Sequence, residues 1–163
     1  AEKNIISGDG DGSFRPNDNI TREEFVKILV AAFGITAENA EANFADVKTS
    51  DWSYPYVAIA YKSGIVNGVS ETEFGSGKMI TRQDMAVMTA RALEKKGIAL
   101  EQLKEYIDFS DQDKIADYAE ASIRTLFESG IVNGKGNNAY DPVGTATRAE
   151  VAKIIYEAFQ ALL

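Results

Sequence analysis

The sequence predicts an all-α fold of three helix-loop-helix repeats closed around a common axis. Three observations carry that prediction. First, a short string recurs: Ile20-Thr21-Arg22-Glu23-Glu24, Ile80-Thr81-Arg82-Gln83-Asp84 and Ala146-Thr147-Arg148-Ala149-Glu150. Second, each string follows a hydrophobic pair and a small polar loop, Ile5-Ile6-Ser7-Gly8, Ile65-Val66-Asn67-Gly68 and Ile131-Val132-Asn133-Gly134. The step from glycine to threonine is 13 residues in all three, with an aromatic (Phe14, Phe74, Tyr140) six residues after the glycine. Third, the copies lie 60 and 66 residues apart. Fixed internal spacing with variable sequence between marks one structural unit used three times.

The elements follow in order. Each Thr-Arg string opens an amphipathic helix. Phe25, Ile28, Leu29, Ala32 and Phe33 form one apolar stripe; Met85, Met88, Thr89, Ala92 and Leu93 form the second. Val151, Ile154, Ile155, Ala158, Phe159 and Leu162 form the third. Gly34 and Gly97 stop the first two. A second helix type precedes the polar loop: 52–63 with Val57, Ala60 and Tyr61, and 118–129 with Ile123, Leu126 and Phe127. Gly64 and Gly130 close these, and Asn4 takes that place in the first copy. Phe44-Ala45-Asp46 and Phe109-Ser110-Asp111 mark the unit entrances. The linker 100–106 reads as a further helical turn or two. The first copy starts at its loop, so its first helix and the natural start are expected upstream. A helix pair of about 50 residues buries little alone, so the repeats must pack on one another. Without polar terminal caps, closure is favoured over an open line.

Composition bounds the chemistry. The chain has 163 residues, 17 cations, 25 acids and a net charge of −8. Binding driven by phosphate neutralisation is disfavoured, so no nucleic-acid partner is expected. No run suits a membrane span, so no membrane insertion is expected. Cys and His are absent, which removes thiol chemistry and the commonest general base and zinc ligand. No cofactor, no metal and no enzymatic activity are expected.

The strings hold two kinds of residue. Thr21 with Glu24, Thr81 with Asp84, and Thr147 with Glu150 fit a capping box, although Asp is shorter than the usual Glu. The arginines do not fit it: a cation in the first helical turn opposes the helix dipole. Arg22, Arg82 and Arg148 are therefore either structural ion pairs or a presentation to an anionic ligand. In the second case the guanidinium fork would meet a carboxylate or phosphate. Gly8, Gly68 and Gly134 would let backbone approach that ligand. Trp52, Tyr54, Tyr56 and Tyr61, at helical spacing, read first as core, with a sugar-stacking platform as the alternative.

The whole pattern of Phe-x-Asp, aromatic-led helix, Gly-Ile-Val-x-Gly, Phe-x-Pro turn and Thr-Arg-x-Glu resembles the S-layer homology (SLH) repeat. The second and third copies match it whole and the first matches its second half. The resemblance implies one SLH domain over 1–163, with repeats at 1–43 (partial), 44–108 and 109–163, packed as a pseudo-threefold, three-pronged spindle. It implies an extracellular module at the cell wall or S-layer. Such a module would anchor an exported protein by non-covalent binding of secondary cell wall polysaccharide, with a pyruvylated sugar, in grooves between repeats. The motif arginine is then the expected ligand contact. The missing first helix leaves room for an associated N-terminal fragment or a neighbouring chain.

This chain departs from the pattern at four places. Glu23 puts a negative charge beside Arg22, which is expected to weaken that site and favour Arg82 and Arg148. Only the last string is a full match at its third position. Ser76 stands where Pro16 and Pro142 stand in the other copies, and Tyr118 where the second copy has Trp52. The competing reading is a calcium-dependent or purely structural assembly module. Ser7-Gly8-Asp9-Gly10-Asp11-Gly12 with Asp18 faintly resembles a calcium loop but lacks the first acid and the bidentate glutamate. Paired carboxylates for glycoside hydrolysis are not singled out among the 25 acids.

Overall fold

The computed structural model describes residues 15–161. Among these, five α-helices stand in order: α1 Arg22–Ala32, α2 Tyr54–Lys62, α3 Arg82–Lys95, α4 Asp117–Glu128 and α5 Arg148–Gln160. No strand longer than an isolated bridge occurs among the described residues. The fold is all-α, as the periodicity predicts.

The three Thr-Arg strings do more than start helices. They meet: the Ile80 amide donates to the Ile20 carbonyl at 2.9 Å, the Ala146 amide to Ile80 at 2.9 Å, and the Ile20 amide to Ala146 at 3.3 Å. The first copy thus bonds to the second, the second to the third, and the third back to the first. The helix starts repeat the cycle one step out. Arg22 donates its amide to the Lys78 carbonyl, Arg82 to Gly144 and Arg148 to Asp18, each at 2.9 Å. Ile20, Ile80 and Ala146 are buried at this junction. Early amides that a lone helix would leave unpaired are satisfied by the neighbouring repeat.

α1, α3 and α5 each touch the other two, while α2 packs on α1 and α4 on α3. The first helices of the second and third copies, α2 and α4, therefore lie against the long helix of the copy before. α1 buries Phe25, Val26, Leu29 and Val30, and α3 buries Met85, Ala86, Val87 and Leu93. Among the described residues no helix covers α5 so. Its Tyr156 is 60% exposed, whereas Val30, the same position in α1, is 5% exposed.

Caps and stops mostly fall where the sequence puts them. Capping boxes form at Thr21 with Glu24 and Thr147 with Glu150. Thr81 accepts from the Asp84 amide, but the shorter Asp84 carboxylate does not reach back, so the box is incomplete there. Gly34, Gly64, Gly97 and Gly130 all take left-handed φ after their helices. The stretch 100–106 is not helical. Instead the amides of Leu103 and Lys104 both donate to the Glu128 carbonyl at the end of α4, at 2.9 and 3.1 Å. That carbonyl, free at a helix C-terminus, competes with any local helical bond.

Candidate functional site: clefts between repeats

The entrance motif explains how the site is framed. The Asp46 carboxylate accepts from the amides of Phe74 at 2.8 Å, Gly75 at 2.7 Å and Ser76 at 2.8 Å. Asp111 accepts from Tyr140 at 2.7 Å and Asp141 at 2.9 Å. Ser76 supplies an amide that its counterpart Pro142 lacks, so this departure adds a bond. Burial raises both carboxyls, but the amides outweigh it and hold them below the ordinary carboxylate range. Each aspartate thereby fixes the aromatic loop over the core, where Phe74 and Tyr140 are fully buried. The sequence placed these aspartates as entrances and missed this anchoring role.

The fixed loop then receives the arginine of the preceding repeat. Arg22 donates from Nε to the Phe74 carbonyl at 3.0 Å and from Nη1 to Asp84 at 2.6 Å. Its guanidinium lies 5.3 Å from the centre of the Phe74 ring. Arg82 repeats this with the Tyr140 carbonyl at 2.8 Å, Glu150 at 2.5 Å and the Tyr140 ring at 5.0 Å. It also donates to the Asn133 carbonyl at 3.2 Å. Arg22 is 4% and Arg82 6% exposed. Both arginines are thus inter-repeat clasps, tied to the capping acid at the head of the next long helix. This answers why a cation recurs against the helix dipole: its partner is a neighbour's carboxylate.

Each clasp lies in the wall of a cleft. The first, of about 380 Å³, is lined by Arg22, Gly68, Asp84, Val87, Arg91 and Tyr118. The second, of about 150 Å³, is lined by Arg82, Gly134, Lys135, Tyr140, Glu150 and Lys153. The structure therefore brings Arg22 and Arg82 each to the glycine loop of the following copy. Arg22 and Arg82 have described clefts. The loop at Gly8, the third glycine, lies outside the described residues, as do the calcium-like residues 7–12. Arg148 is part-buried at the head of α5. Which copy supplies the rest of each described cleft is set by the next repeat, and for Arg22 and Arg82 that repeat is described.

Glu23 and the loop glycines also have partners within the chain. Glu23 does not stand against Arg22 as a loose charge; its carboxylate accepts from the Gly77 amide at 3.0 and 3.1 Å. Gly68 lies at φ +84°, and a Cβ there would meet the Glu73 carbonyl at 2.5 Å and the Phe44 ring at 2.8 Å. At Gly134 a Cβ would meet the Phe109 ring at 2.9 Å. Both glycines are required by the chain's own packing.

The aromatics divide. Tyr54 and Tyr56 pack against the core as expected, but Trp52 is 55% and Tyr61 45% exposed, so these two are not core. Trp52 and Tyr56 flank the Lys27 ammonium, which lies 5.7 and 6.0 Å from the ring centres. Tyr118, the counterpart of Trp52, is 57% exposed at the first cleft. Its hydroxyl donates to Asp84 at 2.7 Å and accepts from Gln83 at 3.2 Å. Burial first and Asp84 second push this phenol up to about 12.

Comparison with known proteins agrees with the repeat pattern. The S-layer homology domain model matches residues 1–26, 43–86 and 108–152. An amylopullulanase of Thermoanaerobacterium thermosulfurigenes is 36% identical over 156 residues, covering 96% of this chain and 8% of that protein. A cellulosome-anchoring protein of Acetivibrio thermocellus is 29% identical over 157 residues, 93% of this chain and 34% of that protein. A surface-layer 125 kDa protein of Lysinibacillus sphaericus is 37% identical over 97 residues, 57% of this chain and 8% of that protein. The chain spans a small part of each relative, and some of those relatives are enzymes by name. By its three matched segments the chain belongs to the S-layer homology domain family, and its place is the cell surface, at the wall or S-layer.

Proposed function

We propose that this domain anchors the protein carrying it to the cell wall by seating secondary cell wall polysaccharide, with its pyruvylated sugar, in the clefts between repeats. The observation that supports it most is the repeated build of those clefts: clasp arginine from one copy, glycine loop and capping acid from the next. Arg22 with Gly68 and Arg82 with Gly134 line two of them, and by the repeat of the sequence motif Arg148 and Gly8 are proposed as ligand contacts too. The cyclic bonding of the three strings is then the axis of a three-pronged spindle, with 1–43, 44–108 and 109–163 as its repeats.

In this reading the domain makes and breaks no bond. The clasp keeps each cleft open at a fixed width, guanidinium donors on its wall meet sugar oxygens, and the exposed Tyr118 ring offers an apolar face for a pyranose. Several clefts engaging one polymer add avidity. The test is co-sedimentation of the folded chain with purified cell walls, before and after the secondary polysaccharide is extracted. Sedimentation with intact walls and loss with extracted walls is expected; equal sedimentation with both overturns the proposal.

A further inference from the structure

The two clefts are built alike but are not chemically alike, and one difference is a guanidinium at a single register of the long helices. Arg91 of α3 lines the first cleft. The same position is Ala31 in α1 and Glu157 in α5. Nothing in the repeat geometry demands a cation there, since α1 and α5 form without one. Arg91 is also free in a way that the clasp arginines are not. Arg22 and Arg82 each hold a carboxylate of the next helix, at 2.6 and 2.5 Å. Arg91 uses one guanidinium nitrogen on the Ile65 carbonyl, at 3.3 Å, and no carboxylate of the described residues pairs with it. That single bond ties it to the wall of the cleft and leaves most of its five donors open.

The second cleft carries no guanidinium besides its clasp Arg82; its other cations are two ammonium groups, the exposed Lys153 and Lys135. Its Lys135 ammonium lies 2.7 Å from Asp141 and 3.9 Å from Glu150. The counterpart of Lys135 in the first cleft is Val69, which carries no charge. The volume follows: about 380 Å³ in the first cleft against about 150 Å³ in the second. Only the first falls within the roughly 300–1,000 Å³ usual for small-ligand sites.

Resting on the function proposed above, we infer that the carboxylate of an acidic sugar is read by Arg91, in the Arg22–Gly68 cleft, and not by the buried motif arginines. Arg22 and Asp84 neutralise one another across the cleft wall, so Arg91 is the uncompensated charge that an incoming carboxylate meets. Its planar fork accepts a carboxylate at two points. The acidic sugar is bound in a chain whose net charge is −8, so attraction has to be local.

The experiment is calorimetric titration of the folded chain with two probes: a pyruvylated secondary cell wall polysaccharide, and the same polymer after mild acid removal of its pyruvyl ketals. The wild-type chain is expected to bind the pyruvylated polymer about tenfold or more tighter than the treated one. Arg91→Ala is expected to bring the pyruvylated polymer down to the treated level, and to leave the treated polymer's affinity unchanged. Arg91→Lys should fall between. Lys95→Ala removes the same charge one turn further along α3, at an exposed position outside the cleft, and should leave the discrimination intact. Discrimination that survives in Arg91→Ala overturns the assignment and leaves the wall-binding function standing. Equal binding of both polymers by the wild type overturns carboxylate reading alone. Binding of neither polymer overturns the function on which the inference rests.

Discussion

Arg22 and Asp84 are 62 positions apart in the chain and 2.6 Å apart in space, and their pairing joins the first long helix to the second. The Arg22 side chain is 5% exposed and that of Asp84 21%. Removing one partner of such a pair strands the other in a poorly solvated place, which costs on the order of 3 kcal/mol. Arg22→Ala should therefore lower the unfolding free energy by about that amount in urea titration. A loss below about 1 kcal/mol would put the pair among surface ion pairs and remove its clasp role.

Gly68 gives a second prediction. Its φ of +84° and the 2.5 Å approach of a Cβ to the Glu73 carbonyl leave no low-strain place for alanine. Gly68→Ala should destabilise the fold by roughly 1–3 kcal/mol, read as a lower urea midpoint at unchanged slope. An unshifted midpoint would show that the loop relaxes freely, and would return the glycine to a ligand-approach role.

Asp46 and Asp111 make stability depend on pH in a defined direction. Their folded carboxyls lie below the ordinary value of about 3.9. The stabilisation is fully present above that unfolded value and is lost as pH falls through the lower folded one. Wild type should lose stability steeply below about pH 4. Asp46→Asn should be less stable at neutral pH and should show a shallower acid limb. Parallel acid limbs in the two proteins would refute the anchoring role.

Trp52 separates packing from binding. A core tryptophan truncated to alanine costs about 3–5 kcal/mol, but this one is 55% exposed beside Lys27. Trp52→Ala should change stability by about 1 kcal/mol or less and should weaken sedimentation with intact cell walls. A large stability loss with unchanged wall binding would restore the core reading.

The legible part of the fold was the part with a local signal. Stripes such as Phe25 to Phe33 fix helices because burial repeats at helical spacing, and Gly34, Gly64, Gly97 and Gly130 end them because only their backbone turns left-handed cheaply. Repeat number and the absence of caps pointed to repeats packing on one another, but the bonds between the three strings were not legible. Nothing in Ile20, Ile80 or Ala146 announces that their amides leave the repeat. The linker 100–106 misled because its composition suits a helix, while the acceptor that claims its amides, Glu128, lies far along the chain.

Residues of the two cleft walls were marked in the sequence, but not how they pair. The sequence singled out Arg22, Arg82, Gly68 and Gly134, and the structure sets all four in cleft walls. It left open which loop each arginine meets, because spacing along the chain carries no sign of partners across repeats. The structure sets the partner one repeat on, so Asp84 and Glu150, read as caps alone, also receive a neighbour's guanidinium. Arg91 was not singled out at all. Inside the second stripe it looked like one more polar residue, and only a comparison of Ala31, Arg91 and Glu157 at one register would have drawn notice.

The cycle of amide bonds from Ile20 to Ile80 to Ala146 and back sets how this domain takes mechanical load. In an open row of repeats, a pull on one flank peels the end repeat away and then the next, each breaking alone. Here the first and third copies hold one another directly, so a pull on either flank reaches every junction at once. Tension divides between the direct junction of the first and third copies and the path through the second, and no single repeat can yield without opening the ring. For a tether at the cell surface, rupture force then depends on the ring as a whole and not on its weakest repeat.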